Sequence, residues 1–392
     1  MANRLRNGII FLLENSLFLV GGTVIALIWV NFFDASSYNA IAHGPLHFAV
    51  NDIGMALFFL LAGKEIREAM LPGGALSNGK TAALPILATI GGMAGPGLLY
   101  YFGAMHYNPD LARGWAIPMA TDIAFSYMVA KMIFGKSVMG KTPAPIVFLL
   151  LLAIADDAGG LIVLAIFYPS GQQDLAMFFT LVPAAIVAAF VMWKVFKMKL
   201  FMPYLVIPGI LSWIGFYKGG IHPALALVPL AWCMPHEKSD LGIFHPDEAH
   251  QTDALNRMEH AFKYPVEIIL GLFGFVNAGV IFGSMGTGTA LVLAGLLIGK
   301  PVGIMLMSML GLLGPLSLPE GMDKKDLFIV SLAAAIGFTV ALFVSVVAFK
   351  PGPLQDSVKM GALLSFAAFG ITYLAALVLG VKRKWMARQD SI

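Results

Sequence analysis

Two aspartates stand side by side in Ala155-Asp156-Asp157-Ala158-Gly159-Gly160, with apolar sequence from Ile146 to Ile154 before them and from Leu161 to Phe167 after. Successive residues on a helix are about 100° apart, so the two carboxylates cannot share a direction, yet both can border one cavity. Neighbouring carboxylates resist being charged together, and a bound cation favours release of a proton they hold. That is the chemistry of competition between a cation and a proton. The other reading, a capping pair at the end of a helix, is opposed by the apolar flanks on both sides.

Further ionisable or polar groups interrupt apolar sequence, where a charge costs at least ~2.5–3.5 kcal/mol. Thr121-Asp122 follows Pro118 in the run that begins at Trp115. Proline removes a backbone donor, so a polar pair just after it predicts an interrupted helix whose freed backbone groups need polar company; a helix start at the interface is the alternative. Lys300, in Gly299-Lys300-Pro301, either pairs with a carboxylate or carries a proton itself. Snorkelling to an interface is disfavoured by apolar sequence that continues to Leu313. Gly337-Phe338-Thr339 is a weaker sign of a second break. Gly63-Lys64-Glu65-Ile66-Arg67-Glu68 reads equally as an interfacial stop and as a functional cluster. His222, Glu259 and His260 are candidate pH-sensitive groups. Glu14 and Glu267 also lie near or within apolar runs, without a role of their own.

The elements that must position these groups follow from composition. Of 392 residues 59% are hydrophobic and only 12% charged, with a mean hydropathy of +0.83, whereas a soluble domain carries about a quarter charged residues. A bilayer-spanning helix needs roughly 20 apolar residues. Such stretches occur near 10–32, 52–70, 82–104, 115–134, 145–168 and 175–196, then near 200–217, 219–235, 262–283, 287–313, 327–349 and 359–381. The long uniform runs oppose a β-barrel, whose strands alternate over short segments. With twelve spans, one side receives Arg4, Arg6, Arg67, Lys80, Lys136, Lys141, Lys194, Lys197, Lys199, Lys238, Arg257, Lys324, Lys325, Lys382, Arg383, Lys384 and Arg388. The other receives Arg113, Lys218, Lys350 and Lys359. This bias places both termini in the cytoplasm. The first run is too long for a signal peptide. The single cysteine, Cys233, excludes an internal disulfide.

These residues carry a resemblance. Gly114-Trp115-Ala116-Ile117-Pro118 through Thr121-Asp122-Ile123-Ala124-Phe125, then Ala155-Asp156-Asp157 and Gly299-Lys300-Pro301, resemble the NhaA family of sodium/proton antiporters. So do Phe58-Phe59-Leu60-Leu61 leading into Glu65, Asn277-Ala278-Gly279-Val280 and Gly337-Phe338-Thr339, in the family's order from about residue 51 to 349. The resemblance implies an all-α polytopic membrane protein of about twelve transmembrane helices, a single transporter domain over 1–392. It implies inverted repeats near 82–168 and 287–381, with spans four and eleven crossing as interrupted helices. By the same likeness Asp157 is the principal sodium ligand and proton carrier. Asp156 ligates beside it or pairs with Lys300 when sodium is absent, and Thr121 adds an oxygen. Asp122 offsets the positive ends of the half-helices and Lys300 the negative ones. Glu65, Glu259 and His260 match positions tied to activation at alkaline pH.

The function so implied is electrogenic exchange of cytoplasmic Na+ or Li+ for external H+ by alternating access, in a bacterial inner membrane, regulating intracellular pH and sodium. Hard oxygen ligands suit these ions. No cofactor and no nucleic-acid partner is indicated, and the partners are Na+, Li+, H+, the bilayer and a second copy in a homodimer. Departures from the family pattern are Lys64 in place of an apolar residue, Glu68 in place of arginine, and a brief loop between spans one and two that leaves little room for the dimer-forming hairpin. Two other classes remain open on the residues alone. An intramembrane aspartyl protease would set its two aspartates on separate facing helices, and a passive cation channel would pass sodium independently of pH.

Overall fold

A computed structural model describes residues 16–71, 74, 76–77, 79–135, 142–171, 173–236 and 253–390. Arg4, Arg6, Glu14, Lys136, Lys141 and Lys238 lie outside the described residues, as does the side chain of Lys80. The described residues are helical with no strand. In order the helices are α1 (Leu17–Phe32), α2 (Ala35–Ala42), α3 (Pro45–Met70), α4 (Gly79–Tyr107), α5 (Ile123–Phe134), α6 (Ala144–Phe167) and α7 (Leu175–Lys194). There follow α8 (Ile210–Gly219), α9 (Val228–Cys233), α10 (Ala254–Asn277), α11 (Thr287–Leu313), α12 (Lys324–Ala333), α13 (Phe338–Ala348), α14 (Pro353–Val378) and α15 (Val381–Asp390).

Six of these, α3, α4, α6, α7, α11 and α14, are unbroken helices long and apolar enough to cross a bilayer alone. α12 and α13 reach that length only as a pair bent by 46°. With α1, α5, α8, α9, α10 and their lead-in turns, they make about twelve passes. Large apolar side chains stand exposed on many of them, Leu313 at 85% and Val378 at 86% among the most, as a hydrocarbon solvent allows.

The ninth span differs from its expected 262–283, because α10 runs from Ala254 to Asn277. At its start the Asp253 carboxylate accepts the N–H groups of Leu255 (2.9 Å) and Asn256 (3.0 Å), an N-cap. Arg257, Glu259 and Lys263 depress the hydropathy of the turns that follow, so an apolar window starts the helix late. At its end the Tyr38 hydroxyl lies 2.5 Å from the Phe275 carbonyl and accepts the Gly279 N–H at 3.1 Å, satisfying backbone that would otherwise need another turn. The eighth span, expected over 219–235, holds only the 3-10 turn Pro223–Leu225 and α9.

The chain divides into two compact units, Met1–Ser77 with Leu161–Gly279, and Asn78–Gly160 with Val280–Ile392. In the first, α1 packs on α10 at Gly22, where an added Cβ would stand 1.9 Å from the Gly271 carbonyl oxygen. In the second, α4 packs on α11 through glycines. A Cβ on Gly91 would stand 2.1 Å from the Gly303 oxygen, and one on Gly95 2.4 Å from the Gly299 oxygen. Small residues of this kind let membrane helices approach to backbone contact. Pro301 cannot donate to the carbonyl four residues earlier, and α11 opens into the π-turn Gly295–Gly299 just before it. That turn and the glycine contact together aim Lys300 inward.

Candidate functional site

All six groups at the core of the second unit come from its own elements. The chain from Trp115 to Met119 forms successive turns, Ala120 to Asp122 is non-helical, and only then does α5 begin. α12 ends at Ala333, residues 334–337 are non-helical, and α13 begins at Phe338. Both interruptions predicted near Thr121-Asp122 and Gly337-Thr339 are therefore present, and they touch: the Asp122 N–H donates to the Ile336 carbonyl at 2.7 Å.

Asp122 lies between two helix N-termini. Its Oδ1 accepts the Phe125 N–H of α5 at 3.3 Å, and its Oδ2 accepts the Thr339 N–H of α13 at 3.1 Å and the Thr339 hydroxyl. Each N-terminus carries roughly half a positive charge, so one carboxylate balances two. The opposite ends present carbonyls. Lys300, fully buried, donates to the Met119 carbonyl at the end of the first set of turns.

Lys300 Nζ also lies 2.6 Å from Asp156 Oδ2, and the Thr121 hydroxyl lies 2.8 Å from the same oxygen. That hydroxyl is also 3.1 Å from the Ala334 carbonyl. Having one proton, it can donate to only one of them at a time. Asp156 is wholly buried, and its Oδ1 has no hydrogen-bond partner. Asp157, one position along α6, is half-buried and within electrostatic reach of Lys300. The second unit thus gathers two carboxylates, a hydroxyl and an ammonium beside unwound backbone. Carboxylate and hydroxyl oxygens are the donor type that small hard cations take.

The remaining candidates fall in the first unit. Lys64, fully buried in α3, bonds to Glu259 of α10 and lies 2.6 Å from Glu68 Oε2. The ring nitrogens of His236 stand 3.7 Å from Glu68 Oε1 and from Asp253 Oδ2. Arg67 donates to the carbonyls of Ala231 (2.5 Å) and Met234 (2.8 Å). Glu65 is half-buried and His260 exposed; the ion pairs of Lys64 run to Glu259 and Glu68, and Lys64 and Glu68 are the two positions that depart from the family pattern. The i, i+4 spacing of Lys64 and Glu68 was visible in the sequence; the part played by His236 was not. His222 accepts the Ala224 N–H at 3.3 Å and caps a turn. Glu267 accepts the Ser16 hydroxyl at 3.1 Å.

Comparison with known proteins bears on this arrangement. The model of the family described as Na+/H+ antiporter 1 matches residues 13–379. The Na(+)/H(+) antiporter NhaA of Jannaschia sp. is 46% identical over 95% of this chain and 98% of its own. The Na(+)/H(+) antiporter NhaA of Geobacter metallireducens is 42% identical over 97% of this chain and 100% of its own. Among solved structures, the sodium proton antiporter MjNhaP1 of Methanocaldococcus jannaschii shares the fold at a TM-score of 0.57 and 15% identity, over 93% of this chain and 91% of that one. Sequence likeness over nearly the whole length, on a helical fold with two broken helices, makes this chain a member of the Na+/H+ antiporter 1 family.

Proposed function

We propose that this protein is a secondary transporter, not an enzyme, that exchanges cytoplasmic Na+ or Li+ for external H+ in a bacterial inner membrane, with both termini cytoplasmic. The observation that carries the reading is the buried Lys300–Asp156–Thr121 arrangement beside two broken helices, in a member of an antiporter family. The Lys300 ammonium lies against Asp156 Oδ2. A cation arriving at Asp157 and Asp156 competes with that ammonium, and Thr121 can turn its hydroxyl proton to the Ala334 carbonyl and offer a lone pair to the ion. Protons reaching the carboxylates from outside expel the ion again, and alternating access exposes the same groups to either side. With three titratable groups at hand, more than one proton can exchange per ion, which makes the cycle electrogenic.

The stretches 82–168 and 287–381 are the inverted repeats of this scheme, and they lie mostly within the second unit. The Lys64–Glu68–Glu259 cluster is the seat of control by pH, because a buried triad of one ammonium and two carboxylates responds to loss or gain of a single proton. The deciding experiment is sodium-induced collapse of a preformed pH gradient in inside-out vesicles. Collapse is expected with the wild type and not with Asp157→Asn inserted at equal amounts. Near-normal exchange by that variant would sink the assignment.

A further inference from the structure

α15 closes the described chain, and its sequence, Val-Lys-Arg-Lys-Trp-Met-Ala-Arg-Gln-Asp, reads only as a basic tail. In the structure it lies across the ends of two helices of its own unit. The Trp385 indole N–H donates to Asp326 Oδ1 at 3.0 Å, and the Lys384 ammonium donates to Asp326 Oδ2 at 2.6 Å and to Asp323 Oδ2 at 2.8 Å. Asp326 is fully buried and also completes a reciprocal cap with Asp323 at the start of α12, each N–H 2.9 Å from the other carboxylate. The Trp385 ring meets Phe134, the last residue of α5, edge-on at 5.8 Å. Arg388 reaches the Gly321 carbonyl at 2.7 Å, just before α12.

The two helices so joined carry the site at their other ends. α5 begins at Asp122, about 18 Å from Phe134 along its axis. α12 ends where the Ala334 carbonyl faces Thr121, about 12 Å from Asp326. Each is half of an interrupted span, and a short helix moves as a rigid rod. Whatever fixes the distal ends therefore sets the spacing of the inner ends, where the Thr121 hydroxyl stands between Asp156 and Ala334. A buried carboxylate holds its donors tightly, since losing them strands a charge.

We propose that α15 is a strap that sets the relative position of the two half-helices, with Asp326 and Trp385 as positioning residues for the ion site. The inference rests on the reading that Asp156, Asp157 and Thr121 hold the ion. It is tested on the full chain with Trp385→Phe, which keeps a smaller aromatic ring at that position and removes the indole N–H, and with Asp326→Asn. In inside-out vesicles at matched protein amounts, the apparent KM for sodium is expected to rise about threefold or more, in the range of indirect couplings, with the maximal rate little changed. Wild-type KM in both variants would overturn the strap. If Asp326→Asn fails to accumulate, Trp385→Phe decides. Hydrogen exchange reads the same device without transport: Trp385→Phe is expected to speed exchange at residues 120–124 and 334–339, and unchanged exchange there would refute it. A wild type without sodium-dependent activity but with this exchange response would refute the transport reading and leave the strap standing.

Discussion

Replacing Lys300 with glutamine should destabilise the second unit, and replacing Asp156 with asparagine at the same time should restore most of the loss. Asp156 Oδ2 is shared by the Lys300 ammonium and the Thr121 hydroxyl, while Oδ1 has no partner. Without Lys300 the carboxylate keeps only Thr121 beside it, whose hydroxyl has the Ala334 carbonyl as an alternative at 3.1 Å. Removing one member of a buried ion pair costs about 3–5 kcal/mol, whereas removing both is often close to neutral. In a unit of about 200 residues, 1 kcal/mol moves the midpoint by about 2–4 °C, so Lys300→Gln should melt roughly 10 °C below the wild type. The assay is a fluorescence-detected melt in detergent, without sodium and at neutral pH, on wild type, both single variants and the double. Lys300→Gln within about 2 °C of wild type would refute the reasoning, as would a double variant no more stable than that single.

Thr339→Val keeps the shape of the side chain but removes one donor from Asp122; a bond to a charged acceptor contributes about 1.5–3 kcal/mol. It should therefore lower the melting midpoint while Thr339→Ser stays close to wild type, measured in the same melts. Gly303→Val should prevent accumulation in the membrane, because a Cβ there meets the Gly91 oxygen at 2.0 Å, backbone that cannot move aside; immunoblots of membrane fractions check it. Lys64→Met should shift the pH profile of sodium-driven exchange, since Glu68 and Glu259 then lose the ammonium they share. An unaltered profile would remove the cluster from pH control. Asp34, between α1 and α2, accepts the N–H groups of Ser36 (3.0 Å) and Ser37 (2.9 Å), and these bonds, the Ser36 amide foremost, hold its carboxyl below the ordinary aspartate range. A lowered value means its cap is fully present above the unfolded pKa of 3.8 and lost only as pH falls through the folded one. Hydrogen exchange at Ser36 and Ser37 should stay protected at pH 5 and be lost in Asp34→Ala at the same pH.

Much of the helical layout was legible because lipid leaves the backbone few choices: a run of roughly 20 apolar residues must be a helix, and an ionisable residue within it must be explained. Pro118 with Thr121-Asp122, and Gly337-Thr339, marked both interruptions for that reason. Where charge sits at a span end hydropathy misplaces the boundary, and α10 begins eight residues before the apolar window because Asp253 caps it and Glu259 finds Lys64. Hydropathy gives the eighth span as one apolar run, but Pro223 and Pro229 lie within it and limit it to a turn and α9.

The residue types at the site, their order and their cost in a bilayer are properties of the sequence itself, and they make the chain a membrane protein with buried carboxylates suited to a cation or a proton. Which oxygen faces which donor is not. Asp156 and Asp157 are adjacent and chemically identical, yet one is fully buried against Lys300 and Thr121 and the other half-buried, because neighbouring positions on α6 point about 100° apart. Lys300 lies 144 residues from Asp156, Thr339 217 from Asp122, and Asp326 59 from Trp385. No local pattern encodes pairings of that range. They arise only when glycine contacts bring α4 and α11 together and two broken helices share the charge of one aspartate.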